Sequence, residues 1–200
     1  FYDFIPMADN RLGVVVADVS DKGMPAAMFM ALSRSVIRSV VGQDDDLSRE
    51  IGKVNQLVWR DSSEGAFITL FFAQFIASDN VIKYVNAGHN PPMVFHARDK
   101  KFEYLSRTGM AAGVEGDTVY QQGVVNLDDD DFVLMYTDGV TDAQIGKSNF
   151  GAERLMKAAL DNSALSAKQL VTQLEKDLCQ FSGSGDPVDD ITMLVAKKIA

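Results

Sequence analysis

Leu12-Gly13-Val14-Val15-Val16-Ala17-Asp18-Val19, followed by Ser20-Asp21-Lys22-Gly23, is the stretch on which the fold turns. Its first eight residues are largely β-branched and nearly all apolar, which suits a strand covered on both faces. Asp18 closes that strand. Past the turn, Pro25 stands where proline is tolerated at a helix start, and Phe29, Leu32, Val36, Ile37 and Val40 recur at helical spacing. The pattern predicts a long helix that begins beside Asp18. A second helix is predicted over Leu47 to Trp59, after the acidic turn Asp44 to Asp46, with Ile51, Val54 and Leu57/Val58 as its apolar stripe.

The middle of the chain is strand-rich. AFITLFFAQFIA (66–77), VIKYVNA (81–87) and PMVFHA (92–97) are short, apolar and bounded by turn residues, and antiparallel pairing is expected among them. A further strand pair is expected over Gln121 to Asn126 and Phe132 to Tyr136, separated by Asp128 to Asp131 and running into Thr137-Asp138-Gly139. Two helices (Ala152 to Leu160 and Ala167 to Phe181), a loop over Gly183 to Pro187 and a last strand, ITMLVAKK (191–198), complete the chain. Runs of strands with helices in pairs predict an α+β fold with sheets sandwiched between helical layers.

No long Pro/Gly/Ser linker and no internal repeat divides the 200 residues, which read as one domain, 1–200. The chain opens at Phe1 with neither an initiator Met nor a signal pattern, and it reads as a piece of something longer. A net charge of -9 argues against nucleic-acid or anionic-membrane partners, whose binding draws on Lys and Arg. The lone cysteine, Cys179, forms no internal disulfide, and a reducing, cytoplasmic compartment fits. The most apolar run, Ala66 to Ala77, falls short of the roughly 20 residues a membrane span requires.

Three apolar strands carry an aspartate at one end: Asp18, Asp138 closing FVLMY, and Asp189-Asp190 opening ITMLV. Converging carboxylates repel one another unless a cation sits between them, and hard divalent ions such as Mg²⁺ and Mn²⁺ suit an all-oxygen site. Any one of these aspartates alone fits turn chemistry equally well; the recurrence at three strand ends favours a site. Asp3, Asp9 and the clusters Asp44 to Asp46 and Asp128 to Asp131 read as turn and solvated-face residues. Zinc is disfavoured because the two histidines and one cysteine are not clustered. A cysteine-phosphatase loop is excluded, since the sixth position after Cys179 is Gly185 rather than arginine. One rival survives: Asp129-Asp130-Asp131-Phe132-Val133 fits the DxDxV of haloacid-dehalogenase-type phosphatases, with Asp129 as nucleophile and Gly185-Asp186 near Asp190 as a later acidic motif. That nucleophile should follow a long buried strand near the start of its domain.

Taken in order, FYDF (1–4), ADVSDKGMPAAMFM (17–30), YVNAGHNPP (84–92), YTDGVTDA (136–143) and DDITMLV (189–195) resemble the bacterial branch of the metal-dependent type 2C (PPM) phosphatases, and more narrowly its SpoIIE/RsbU-like members. The resemblance spans almost the whole chain. It implies a four-layer αββα sandwich of two antiparallel sheets flanked by helices, with two Mn²⁺ or Mg²⁺ ions in the full-length domain. Asp18, Asp138 and Asp189 would be the catalytic and metal-binding residues: Asp18 bridging both ions, the Val19 carbonyl binding one, and Asp138 and Asp189 holding the other. Asp190 would lie beside the site. A water bridging the ions would attack a phosphoserine or phosphothreonine phosphorus in line. The implied substrate is a phosphorylated regulatory protein, an anti-sigma-factor antagonist by resemblance, under an upstream sensor or receiver domain. A catalytically weak module that binds such a partner is the alternative.

Two departures stand out. Members of this branch usually read GGDFYD, whose first Asp supplies a further ligand, and the present chain begins just past it at Phe1. Many type 2C enzymes carry histidine two residues after the bridging aspartate, where this chain has Ser20. His89, among turn formers, reads first as a histidine fixing a tight turn and second as a group near substrate. His96 reads as a surface or satisfied core residue, and Met24, Met28 and Met30 as core packing. The helix from Met24 is a candidate switch element, because a shift in it would move Asp18.

Overall fold

A computed structural model describes residues 1–62, 65–183 and 189–199. In chain order the elements are β1 (Tyr2–Pro6), β2 (Arg11–Val19), α1 (Met24–Val40), α2 (Leu47–Asp61), β3 (Ile68–Ile76), β4 (Val81–Ala87), β5 (Met93–His96) and β6 (Lys101–Tyr104). They continue as β7 (Gly123–Asn126), β8 (Phe132–Tyr136), α3 (Asp138–Thr141), β9 (Gln144–Ile145), β10 (Ser148–Asn149), α4 (Gly151–Asp161), α5 (Ala167–Ser182) and β11 (Met193–Lys197). The chain divides into two units, Phe1–Asn90 with Ser106–Asn126, and Pro91–Leu105 with Leu127–Ala200. Each unit sets helices against an antiparallel sheet, as the α+β expectation requires. Among the described residues, no helix is long and apolar enough to cross a membrane.

In the first unit the sheet order is β1-β2-β3-β4-β7. Alternate residues Val15, Ala17, Leu70, Phe72, Val85 and Ala87 form a buried core with α1 and α2. The other face of the same strands, Val14, Val16, Phe71 and Ala73, is buried too. That two-sided burial is why Leu12 to Val19 is apolar without alternation. Helix α2 begins where Asp46 caps it, its carboxylate accepting from Ser48 N–H at 3.0 Å. Leu47, Ile51, Val54 and Val58, spaced four, three and four, are fully buried. Each such side chain contributes about 1.5–3 kcal/mol relative to exposure.

Asp3 is not the solvated residue expected. It points inward from β1, and its carboxylate takes Arg38 at 2.7 Å and Arg34 at 3.0 Å from α1. Two arginines one helical turn apart are what permit a carboxylate there, because a buried charge persists only when paired. The methionine expectation is also corrected: Met24 and Met28 are 74% and 68% exposed, and Met30 is half-buried. The buried stripe of α1 is Ala26, Ser33, Ile37 and Val40, and Met28, two residues past Ala26, falls on the opposite side.

In the second unit the sheet order is β11-β8-β5-β6. Met93, Phe95, Phe132, Leu134 and Tyr136 pack on Leu155 and Ala159 of α4 and on Leu170, Leu174 and Leu178 of α5. Helix α5 starts with a capping box in which Ser166 and Gln169 exchange hydrogen bonds.

Two strand pairings differ from expectation. β7 and β8 are not partners: β7 pairs β4 in one unit, and β8 lies between β5 and β11 in the other. At Gly123 the Tyr84 ring of β4 lies over the bare backbone, where a Cβ would displace it. Likewise β5 joins β6 and β8 rather than β4. The residues between β7 and β8 are no simple solvated turn, because Asp131 is 2% exposed. Its carboxylate accepts from Ala97 N–H (2.7 Å) and Asp128 N–H (3.0 Å) and meets His96 Nδ1 (3.1 Å). His96 is thus satisfied, with Glu103 on its other nitrogen at 3.1 Å. Most of the loop expected over Gly183 to Pro187 lies outside the described residues.

Candidate active site

In the first unit, Asp18 and Val19 are the last two residues of β2, and Asp18 sits opposite Thr69 of β3. Ser20 N–H donates to Phe67 O at 2.9 Å, and Phe67 N–H donates to Ser20 Oγ at 3.0 Å. In a trans peptide N–H and C=O point in opposite directions, so the Ser20 bond turns the Val19 carbonyl away from β3. The turn that follows uses backbone conformations suited to Asp and Gly, with φ of 68° at Asp21 and 85° at Gly23. It delivers the chain into α1 with Pro25 in the first turn.

Beside this strand end lies His89, 2% exposed. Its backbone N–H donates to Asn86 Oδ1 at 2.9 Å, Arg107 Nε donates to its carbonyl at 3.3 Å, and its Nδ1 lies 2.8 Å from Thr69 Oγ1. Gly88, at φ 72°, is closed to larger residues because a Cβ would stand 2.8 Å from Ala111 N. Of the two readings of His89, the structural one describes its surroundings: a packed histidine fixed at backbone and ring.

In the second unit, Asp138 is the exposed first residue of α3, directly after β8. Thr137 N–H donates to Thr192 O at 3.1 Å. The Thr137 hydroxyl accepts from Thr192 N–H at 2.9 Å and donates to Asp190 O at 3.1 Å. A Cβ at Gly139 would collide with the Asp190 carbonyl oxygen and stand 3.4 Å from the Asp189 carbonyl carbon. Threonine and glycine therefore hold Thr137-Asp138-Gly139 against the backbone of Asp189-Asp190. Asp189 Oδ1 accepts from Asp190 N–H at 3.0 Å. Nothing in the sequence singles out Thr137 beyond its place as a threonine between an apolar strand and an aspartate.

Asp129 is placed elsewhere. It lies in the turn before β8, at the opposite end of that strand from Asp138, and pairs with Lys198 at 2.8 Å. The strand it follows, β7, is four residues long and mostly not buried, and lies well past the start of the chain, whereas a nucleophile of the dehalogenase type should follow a long buried strand near the start of its domain; that rival loses its structural basis. Its later motif, Gly185-Asp186, lies outside the described residues.

The donor set at these strand ends consists of carboxylates and a backbone carbonyl. Oxygen donors of this kind fit Mg²⁺ or Mn²⁺, which complete their coordination with water, and do not fit zinc. Within each unit, the described residues gather no group of three or more His, Cys, Asp or Glu side chains placed to hold a metal. Asp18 and Val19 belong to the first unit, and Asp138 and Asp189 to the second.

The chain is 31% identical to Protein IcfG of Synechocystis over 97% of its own length and 35% of that protein's. It is 25% identical to the phosphoserine phosphatase RsbU of Bacillus subtilis, over 99% of this chain and 58% of that one. It thus spans well under two thirds of either relative. The SiaA-PP2C domain of Pseudomonas aeruginosa shares its fold at a TM-score of 0.83, with 20% identity over 98% of this chain and 78% of that one. Residues 8–198 match the family described as Stage II sporulation protein E (SpoIIE), and the chain belongs to that family.

Proposed function

We propose that this chain is the catalytic domain of a metal-dependent protein phosphatase that hydrolyses phosphoserine or phosphothreonine on a regulatory protein. The observation that supports the reading is the contact by which Thr137 and Gly139 hold the segment carrying Asp138 against the backbone of Asp189-Asp190, in a member of the SpoIIE family. Asp18, the Val19 carbonyl, Asp138 and Asp189 are the proposed ligands of two Mn²⁺ or Mg²⁺ ions. Divalent cations held there would supply the positive charge that offsets a dianionic phosphate and makes water acidic at neutral pH. The residues' own work is positional. The bond from Ser20 N–H to Phe67 O fixes the direction of the Val19 carbonyl, and the Thr137 hydroxyl ties the segment carrying Asp138 to the backbone beside Asp189. An anti-sigma-factor antagonist is the proposed substrate type, and an upstream sensor or receiver domain the proposed control.

Mn²⁺-dependent hydrolysis of p-nitrophenyl phosphate and of a phosphoserine peptide tests the reading. The chain should turn both over; Asp138→Asn should abolish turnover, and Asp129→Asn should leave it intact. Activity that needs Asp129 and tolerates Asp138→Asn would overturn the assignment. A chain that binds a phosphorylated partner and hydrolyses nothing would be a binding module instead.

A further inference from the structure

His89 belongs to none of the proposed ligands, yet it is one of the most firmly fixed side chains near them. Its backbone is held on both sides, by Asn86 and by Arg107, and its ring meets Thr69 Oγ1 at 2.8 Å. Thr69 is the cross-strand partner of Asp18, and its hydroxyl donates to the Asp18 carbonyl over a long 3.4 Å. A hydroxyl has one proton. With that proton given to Asp18, the Thr69 oxygen meets His89 as an acceptor, so Nδ1 must carry a hydrogen and the ring must donate. One direction of donation satisfies both contacts: His89 Nδ1–H to Thr69 Oγ1, and Thr69 Oγ1–H to Asp18 O.

We infer that His89 is a positioning residue for the metal centre proposed above, acting through Thr69 on the end of β2 that carries Asp18 and Val19. The inference rests on that reading of Asp18. The Asp18 carbonyl belongs to the peptide that joins Asp18 to Val19, so fixing it sets the plane from which the aspartate side chain departs and from which the Val19 carbonyl follows. Hydrogen bonds behind a ligand of this kind orient it, and their loss costs roughly 10–100-fold in metal affinity.

The test is isothermal titration of Mn²⁺ into the chain and into Thr69→Val, Thr69→Ser, His89→Ala and His89→Asn, with thermal unfolding of each in chelator. Thr69→Val and His89→Ala should each weaken Mn²⁺ binding by roughly 10–100-fold. Thr69→Ser keeps the hydroxyl and His89→Asn keeps a donor near the Nδ1 position, so both should recover most of the affinity. The double variant Thr69→Val with His89→Ala should bind no more weakly than the weaker single one, because the two residues act in series. Unchanged affinity in Thr69→Val, or losses that simply add in the double variant, would overturn the inference even if unfolding temperatures fall. Thr69→Val nearly preserves shape, so the question is decided even if His89→Ala does not fold. Indifference of Mn²⁺ binding to Asp18→Asn in the otherwise unaltered chain is a separate result, which would overturn the metal-centre reading and this inference with it.

Discussion

A side-chain carbon at position 139 would collide with the Asp190 carbonyl oxygen, so glycine is what lets the two carboxylate-bearing segments touch. Gly139→Ala should displace Asp138 from Asp189 and lower kcat/KM with a phosphopeptide by roughly a hundredfold, the scale of a 1 Å misplacement. Metal-dependent turnover of the purified variant checks it. Thr137→Val should act on stability as well as activity. It leaves the Thr192 N–H and the Asp190 carbonyl without the hydroxyl that serves both, at a cost of about 1–3 kcal/mol in urea unfolding. The sequence made Asp138 and Asp189 candidates because they recur at strand ends. It gave no hint that the small residues beside Asp138 pack against the Asp189-Asp190 backbone.

Helix α2 shows how much of an element can be read directly. Of its predicted stripe Ile51, Val54 and Leu57/Val58, the structure buries Ile51, Val54 and Val58 together with Leu47 and leaves Leu57 exposed, and its acidic turn supplies the cap in Asp46. Asp46→Ala should cost about 1 kcal/mol, whereas Gly52→Ala, on a helix position where an added methyl meets nothing within 4 Å, should gain about 0.5–1 kcal/mol. Thermal melts of both variants check the two signs. Helix α1 was legible in extent and misread in facing. Met24 and Met28, expected in its core, are on its outer side, because the face that packs is fixed by where the sheet and α2 lie. In β1 the same ignorance hid Asp3: Arg34 and Arg38, four residues apart, were a visible cue to an acidic partner, and only the fold shows which acid it is.

At the scale of the whole molecule, two ion-paired groups give stability an opposite dependence on acid and on base. Burial alone would raise the Asp3 pKa, but the hydrogen bonds and charges of Arg38 and Arg34 outweigh it and hold the carboxyl below its ordinary 3.8. A depressed carboxylate stabilises above the unfolded value, so this contribution is present above about pH 4 and lost as pH falls through the folded pKa. Burial alone would lower His96, but Glu103 and Asp131 outweigh it and raise the imidazole above 6.5. A raised histidine stabilises fully below 6.5, and that contribution is lost as pH rises through the folded pKa. Urea unfolding across pH should therefore show Asp3→Asn flattening the acid limb and His96→Gln flattening the decline above about pH 6.5.

The sequence by itself determined the α+β class, most strand and helix positions, the family resemblance and the aspartates worth naming. Those features follow from local periodicity, turn chemistry and ordered motifs, all written along the chain. The partners of β5, β7 and β8, the burial of Asp3 and Asp131, the outward face of Met24 and Met28, and the clamp on Asp138 were decided by tertiary structure. Each depends on which distant backbone arrives alongside: Tyr84 over Gly123, the Asp189-Asp190 peptide over Gly139, two arginines over Asp3. Contacts between residues tens of positions apart leave no periodic trace, since a single glycine or threonine suffices to admit them.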